Sequence, residues 1–225
     1  MAKTLSTEEA RAFYDRFGAK QDKQAFYEDC ATNLLIANGK FAEATAVLEF
    51  GCGTGRFAAR LLSDHLSPAC TYLGLDSSTT MQQLASERLR PWENRAEARL
   101  SDGSTRLEVT DASVDRIVSN YVLDLLSVEA IDAFLNEAHR TLQPDGRLCL
   151  TGLTFGAHLS SRLLIAGWRT VHWMRPALVG GCRPLELRDH LDRDSWRIEF
   201  REVVTAYGIP SEVVVAQRLS KSQPA

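Results

Sequence analysis

At 225 residues the chain has room for one sizeable α/β core and too few residues for two comfortable domains. Hydrophobic residues make up 44% and charged residues 24%, a globular composition that excludes a disordered or membrane-spanning chain. A formal charge of -3 gives no bias toward phosphate backbones, so nucleic acid is not an expected partner.

The first residues lack the apolar stretch of a secretory signal, and no apolar run approaches bilayer length, so a cytoplasmic location is expected. Ser6 and Glu9 have capping-box spacing; Ala10, Phe13, Tyr14 and Phe17 then recur at helical intervals up to Gly18, which predicts a short amphipathic helix. A second helix carries Phe26, Cys30, Leu34 and Leu35 and should stop at Asn38-Gly39. Residues 46–50 read as a buried strand followed by glycines, and Phe57, Ala58, Leu61 and Leu62 as the inner face of the next helix. The strand pattern repeats at 72–75, with Met81, Leu84, Ala85 and Leu89 on a helix that Pro91 helps to end. Further strands are predicted at 96–100, 114–120 and 147–153, with Ile131, Phe134, Leu135, Ala138 and Leu142 on a helix before the turn Pro144-Asp145-Gly146. Such alternation requires right-handed crossovers and hence a parallel sheet covered on both faces. Strand patterns at 198–207 and 212–219, around Gly208-Ile209-Pro210, are too close for a crossover and should form an antiparallel hairpin at the sheet edge. Residues 220–225 read as a loose tail. The five cysteines, Cys30, Cys52, Cys70, Cys149 and Cys182, are scattered and never form a C-x-x-C pair, so neither a disulfide framework nor a metal site is expected.

The strongest local signal is Val47-Leu48-Glu49-Phe50-Gly51-Cys52-Gly53-Thr54-Gly55-Arg56-Phe57, a strand running through a glycine loop into a helix. Gly51, Gly53 and Gly55 let the backbone turn tightly and approach a ligand at the strand's carboxyl end. The dinucleotide fingerprint needs glycine at position 56, which is Arg56, and no Gly-Lys-Ser/Thr follows, so a nicotinamide cofactor and a P-loop are both disfavoured. Asp76, about 20 residues further on, ends the second strand where an acid can accept from both ribose hydroxyls. Asp102-Gly103 leaves the third strand with another acid, suited to an exocyclic adenine amine. Taken singly, Asp76 could be a helix cap and Asp102-Gly103 a turn; their register with the glycines points to a nucleoside ligand. Cys52 reads as a packing residue, since nothing nearby lowers a thiol pKa.

These segments, with His139-Arg140-Thr141-Leu142-Gln143-Pro144-Asp145-Gly146, resemble the class I S-adenosylmethionine (AdoMet)-dependent methyltransferases, in the small-molecule branch similar to the ubiquinone/menaquinone biosynthesis enzymes. The resemblance spans residues 46–153. It implies a doubly wound, Rossmann-like, mostly parallel seven-stranded sheet with helices on both faces, a C-terminal antiparallel hairpin and N-terminal helices at 1–40 that form a lid. It also implies that AdoMet is held by Tyr14, Glu49, Gly51, Cys52, Gly53, Gly55, Asp76, Ser77, Met81, Asp102, Gly103, Asn120 and Tyr121. Within that set the glycines face the amino-acid part, Asp76 the ribose and Asp102 the adenine. Asn120 and Tyr121 lie under the reactive end, and Glu49 steadies the loop or the ammonium. The N-terminal helix has a second reading as an apolar cover for the sheet.

Methyl transfer is a direct displacement that alignment alone can drive. If a base is needed, His158, His172, Asp124, Tyr121 and Tyr14 are available, and none is singled out. An AdoMet-binding regulatory or scaffold protein without turnover is the alternative. Residues 154–185 form the longest insertion at a strand's carboxyl end and should make the acceptor site. Phe155, Leu159, Leu163, Leu164, Ile165, Trp168, Val171, Trp173 and Met174 favour an apolar or amphipathic small molecule, lipid- or quinone-like. Arg162, Arg169, Arg175 and Arg183, with no acid in the stretch, raise an anionic head group or a peripheral membrane contact, against the alternative of a core helix with solvated arginines.

Overall fold

The computed structural model describes residues 6–155 and 182–220. Helix α1 (Thr7–Phe17) starts at the capping box of Ser6 and Glu9, in which both reciprocal bonds form, and stops at Gly18. A 3-10 segment, Gly18–Gln24, leads into α2 (Ala25–Asn38). The core then alternates: β1 (Ala46–Phe50), α3 (Arg56–Asp64), β2 (Thr71–Asp76), α4 (Thr79–Leu89), β3 (Ala96–Leu100), β4 (Val114–Asn120), α5 (Val128–Thr141) and β5 (Leu142–Leu153). After a 3-10 turn at Leu187–His190, β6 (Trp196–Ala206) and β7 (Ile209–Arg218) close the fold.

The seven strands lie in the order β3-β2-β1-β4-β5-β7-β6. Pairs among β1 to β5 are parallel, whereas β7 runs antiparallel to both β5 and β6. The order reverses between β1 and β4, and that switch point opens a crevice at the carboxyl ends of the strands. The two-residue strand period sorts the apolar residues by face. Val47, Val118, Cys149, Val213 and Val215 pack with Leu35 of α2, Leu61 of α3 and Ala85 of α4. Their neighbours Leu48, Ile117, Leu148, Leu150 and Val214 pack with Ile131, Phe134 and Ala138 of α5.

Two turns differ from the sequence reading. Pro144-Asp145-Gly146 does not precede the fifth strand but lies inside β5: Leu142 pairs with Val114 and Arg147 with Arg116, so the extra residues form a bulge with Asp145 at φ 62°. Gln217 of β7 donates to the Asp145 carboxylate at 2.8 Å and fixes it. The hairpin turns at Tyr207-Gly208, both with positive φ (52° and 83°), whereas Pro210 already pairs with Thr205. Two left-handed residues match the twist of the paired strands, which a turn through Pro210 could not do.

No helix among the described residues is long and apolar enough to cross a membrane. Of the 154–185 stretch only the ends are described. Leu185 is buried and its N–H donates to Leu153 O, while Arg183 is tied back by its N–H to Asp124 O and by its guanidinium to Leu126 O. His158, His172, Trp168, Trp173 and the other insertion residues between 156 and 181 lie outside the described residues.

Candidate active site

The glycine loop is shaped by β1 ending one residue before Gly51. Gly51 N–H and Cys52 N–H both donate to Leu75 O, at 2.8 and 3.0 Å, which turns the chain across the end of β2. Gly51, Gly53 and Gly55 all take positive φ (78°, 53° and 73°). A Cβ on Gly51 would lie 2.3 Å from Val122 Cγ2, and one on Gly55 would lie 3.0 Å from Ala85 Cα, so glycine is required for space as well as for conformation.

Asp76 at the end of β2 accepts from Gly53 N–H at 2.8 Å and from Ser78 N–H at 2.9 Å. Burial pushes its pKa up, against the pull of those loop amides. Ser78 caps α4 and donates to Asp15 of α1 at 2.6 Å, which helps bring the N-terminal helix across the strand ends. Thr80 N–H also donates to Asp15, and Arg11 donates to Asp102 O.

Beneath this cover lies a cavity of ≈ 330 Å³. Its walls include Gly51, Gly53, Asp76, Ser77, Met81, Gly103, Asn120 and Tyr121, with Tyr14 arriving from α1. A smaller polar chamber of ≈ 60 Å³ adjoins it, lined by Glu28, Glu49, Cys52, Thr54 and Arg56, and shares Gly51, Gly53, Asn120 and Tyr121 with it. The candidates predicted from sequence thus divide. Tyr14, Gly51, Gly53, Asp76, Ser77, Met81, Gly103, Asn120 and Tyr121 line the main cavity, while Glu49 and Cys52 line the chamber. Gly55 lines neither and serves as the left-handed N-cap of α3. Asp102 is exposed and outside both walls; its carboxylate accepts from Ser104 N–H at 2.8 Å, and its neighbours Ser101, Gly103 and Ser104 face the cavity instead. The Asx turn at Asp102 satisfies the backbone locally and carries the acid outward.

Glu49 is fully enclosed. Tyr72 OH and Asn120 Nδ2 donate to it, and burial, outweighing these bonds, pushes its pKa up to about 7. Burial does the same to Glu28, also to about 7, and drives the Cys52 thiol well above its ordinary value, which fits a packing residue. Tyr121, the first residue after β4, is held at φ 55° by its N–H to Thr151 O and by its hydroxyl to Ser211 Oγ at 2.8 Å. A left-handed tyrosine costs on the order of 1 kcal/mol and persists because both ends are fixed. Three residues on, Asp124 is completely buried; one carboxylate oxygen accepts from Leu153 N–H at 3.3 Å, the other has no partner among the described residues, and burial pushes the pKa up to about 7. Burial holds Tyr14 and Tyr121 in the protonated form.

Sequence reasoning missed Gln21, Leu125, Leu126 and Ala130 in the cavity wall, together with Ser6, Thr7 and Ala10 of the covering helix. The capping box marked where that helix begins, but no local pattern says where it lies.

A family model described as a methyltransferase domain matches residues 47–146, from the start of β1 to the bulge in β5. A malonyl-[acyl-carrier protein] O-methyltransferase of Marinomonas sp. is 29% identical over 144 residues, 64% of this chain and 51% of its own length. A demethylmenaquinone methyltransferase of Lactobacillus johnsonii is 28% identical over 144 residues, 64% of this chain and 54% of its own. The chain thus spans about half the length of these curated relatives. The crystal structure of the [4+2]-cyclase SpnF shares the fold, with TM-score 0.69 at 16% identity over 96% of this chain and 97% of that one. Over residues 47–146 the chain thus matches a methyltransferase domain, and its seven-stranded order and glycine loop lie within the fold it shares with that structure.

Proposed function

We propose that this chain binds AdoMet in the ≈ 330 Å³ cavity and transfers its methyl group to a small acceptor. The observation that carries the reading is the convergence of a backbone cradle only glycine can form, a half-buried strand-end acid and a polar chamber with two carboxylates on one cavity at the switch point. The residues present fit the group. Asp76, Ser77 and Met81 border the space for a ribose and base, and the chamber with Glu28 and Glu49 suits an ammonium. In place of Asp102, the adenine edge is assigned to Ser101, Gly103 and Ser104.

When bound, AdoMet supplies an electrophilic methyl on a sulfonium. The chain's part is to hold that end against Asn120 and Tyr121, to exclude water under α1 and to align the acceptor. Thr151 Oγ1 donates to Asn120 Oδ1 at 2.9 Å, so the Asn120 amide is fixed at both ends, between β5 and Glu49. Of the bases the sequence offers, Tyr14 and Tyr121 line the cavity and are held protonated by burial, whereas Asp124 lines neither wall, so no base is assigned.

The acceptor is read as apolar or amphipathic, lipid- or quinone-like, and approaching from the side of residues 154–185. One feature of the described residues supports this. Aromatic rings run from Tyr121 in the cavity wall to Tyr27 (5.8 Å), Phe26 (5.2 Å) and Tyr207 (5.3 Å), the last two being 54% and 79% exposed. Such a row of rings offers an apolar molecule a partly exposed aromatic surface that reaches the cavity wall at Tyr121.

The alternative reading is AdoMet binding without methyl transfer, and the [4+2]-cyclase named for a neighbour of the same fold supports keeping it. The test is to incubate purified protein with AdoMet and acceptor classes of graded polarity and to measure S-adenosylhomocysteine. Acceptor-dependent release establishes the enzyme; tight binding of S-adenosylhomocysteine with no release from any class supports the alternative.

A further inference from the structure

Gln21 belongs to the 3-10 segment between the first two helices, yet it reaches the glycine loop. Its carboxamide lies directly over Gly53, where an added Cβ would come within 2.8 Å of Oε1 and 3.3 Å of Nε2. It lines both the main cavity and the polar chamber, so it stands where the two meet. Its Oε1 is buried and has no hydrogen-bond partner among the described residues. A buried amide oxygen without a donor is destabilising unless a ligand supplies one.

The neighbouring residue fixes this placement. Asp22 accepts from Thr54 Oγ1 of the glycine loop at 2.6 Å and pairs with Arg88 of α4 at 2.7 Å, while Arg88 also donates to Thr54 at 2.8 Å. Burial opposes the charge on Asp22, but the bonds from Arg88 and Thr54 prevail and keep its pKa below the ordinary value. The clamp docks the 3-10 segment onto the loop, with Gln21 next to it in sequence and aimed into the site.

We infer that Gln21 is a cofactor-binding residue carried by the N-terminal cover, and that its Oε1 accepts a hydrogen bond from the α-ammonium at the amino-acid end of AdoMet. The inference rests on the AdoMet reading above and adds a residue from outside residues 47–146 to it. The donor is a cation in a chamber that also holds Glu28 and Glu49, so the bond is charge-assisted. Recognition of the amino-acid end is thereby tied to closure: the group that completes the ammonium's partners arrives only when the cover is docked.

Calorimetry with two probes tests this: S-adenosylhomocysteine, which carries the amino-acid end, and 5′-methylthioadenosine, which lacks it. Gln21→Leu should lower S-adenosylhomocysteine affinity about tenfold or more and leave 5′-methylthioadenosine affinity unchanged, as loss of one hydrogen bond to a charged group predicts. Gln21→Glu keeps the acceptor oxygen and should restore S-adenosylhomocysteine binding to within a few-fold of the original. Equal affinity of Gln21→Leu and the original protein for S-adenosylhomocysteine overturns the assignment. So does a loss shared in equal proportion by both probes, which would make Gln21 a packing plug. If the unaltered protein binds neither probe, the AdoMet reading fails and this assignment with it. If it binds both while Gln21→Leu is indifferent, only the assignment fails.

Discussion

The glycine loop shows how little freedom a single residue has at this site. Gly51 sits at φ 78° with Val122 filling the space a side chain would need. Gly51→Ala should therefore cost roughly 1–3 kcal/mol of stability through backbone strain and the clash together, read as a lower midpoint in urea unfolding with an unchanged slope. Asp76 tests a different quantity. Its carboxylate braces Gly53 and Ser78 and also borders the cavity, so Asp76→Ala should weaken S-adenosylhomocysteine binding at least about tenfold. Unchanged affinity in calorimetry would remove Asp76 from the ligand's partners. For Asp102 the expectation is the opposite: Asp102→Ala should leave affinity within a few-fold, because its side chain is turned onto Ser104 and away from the cavity.

At the scale of elements, α1 buries none of its residues fully and is held over the site through polar ties, chiefly Asp15 to Ser78 and Thr80 and Arg11 to Asp102 O. Elements held this way open at low cost, which supports the lid reading over a fixed apolar cover. Amide hydrogen exchange across residues 7–24 should be fast in the free protein and slow markedly with S-adenosylhomocysteine, and Asp15→Ala should abolish much of that slowing. Exchange indifferent to ligand would make α1 a static cover. On the acceptor side, Phe26→Ala and Tyr207→Ala should raise the acceptor's KM with S-adenosylhomocysteine affinity nearly unchanged, as should Trp168→Ala or Trp173→Ala in the 154–185 insertion. Loss of cofactor binding in proportion to stability in these variants would assign the aromatic residues to the core.

For the molecule as a whole, carboxyls whose charge the fold desolvates, among them Glu28, Glu49 and Asp124, set a pH dependence. Glu28, Glu49 and Asp124 titrate at about 7 in the fold, against 4.5, 4.5 and 3.8 ordinarily. Between those limits the folded state binds more protons than the unfolded one, so stability falls as pH rises toward about 7 and levels off above it. Asp15, Asp22, Glu137 and Glu199 are shifted the other way by their hydrogen bonds and ion pairs, and their contribution is lost as pH falls through their lowered values. Tm of the free protein should therefore peak near about pH 4 to 4.5 and fall toward about pH 7. An ammonium placed beside Glu28 and Glu49 favours their ionised forms, so binding should release protons and S-adenosylhomocysteine affinity should rise several-fold from about pH 6 to about pH 8. Calorimetry in buffers of different ionisation enthalpy reads the proton count directly, and proton uptake would contradict the placement of the ammonium.

The sequence by itself determined β1, the glycine loop and α3, the acid that ends β2, the alternation of faces along each strand and the closing hairpin. Each of these is dictated by neighbours in the chain: a positive φ demands glycine, a capping box marks a helix start, and a period of two residues sorts Leu48 from Val47. Tertiary structure alone decided which of those residues meet. That α1 folds back across Asp76, that Gln21 rests on Gly53, that Asp102 turns outward and that the Pro144-Asp145-Gly146 turn is absorbed as a bulge fixed by Gln217 all depend on partners distant in sequence. Such contacts leave no periodic or local trace, because the energy that selects them comes from packing and hydrogen bonding across the sheet's end rather than from the conformational preferences of adjacent residues.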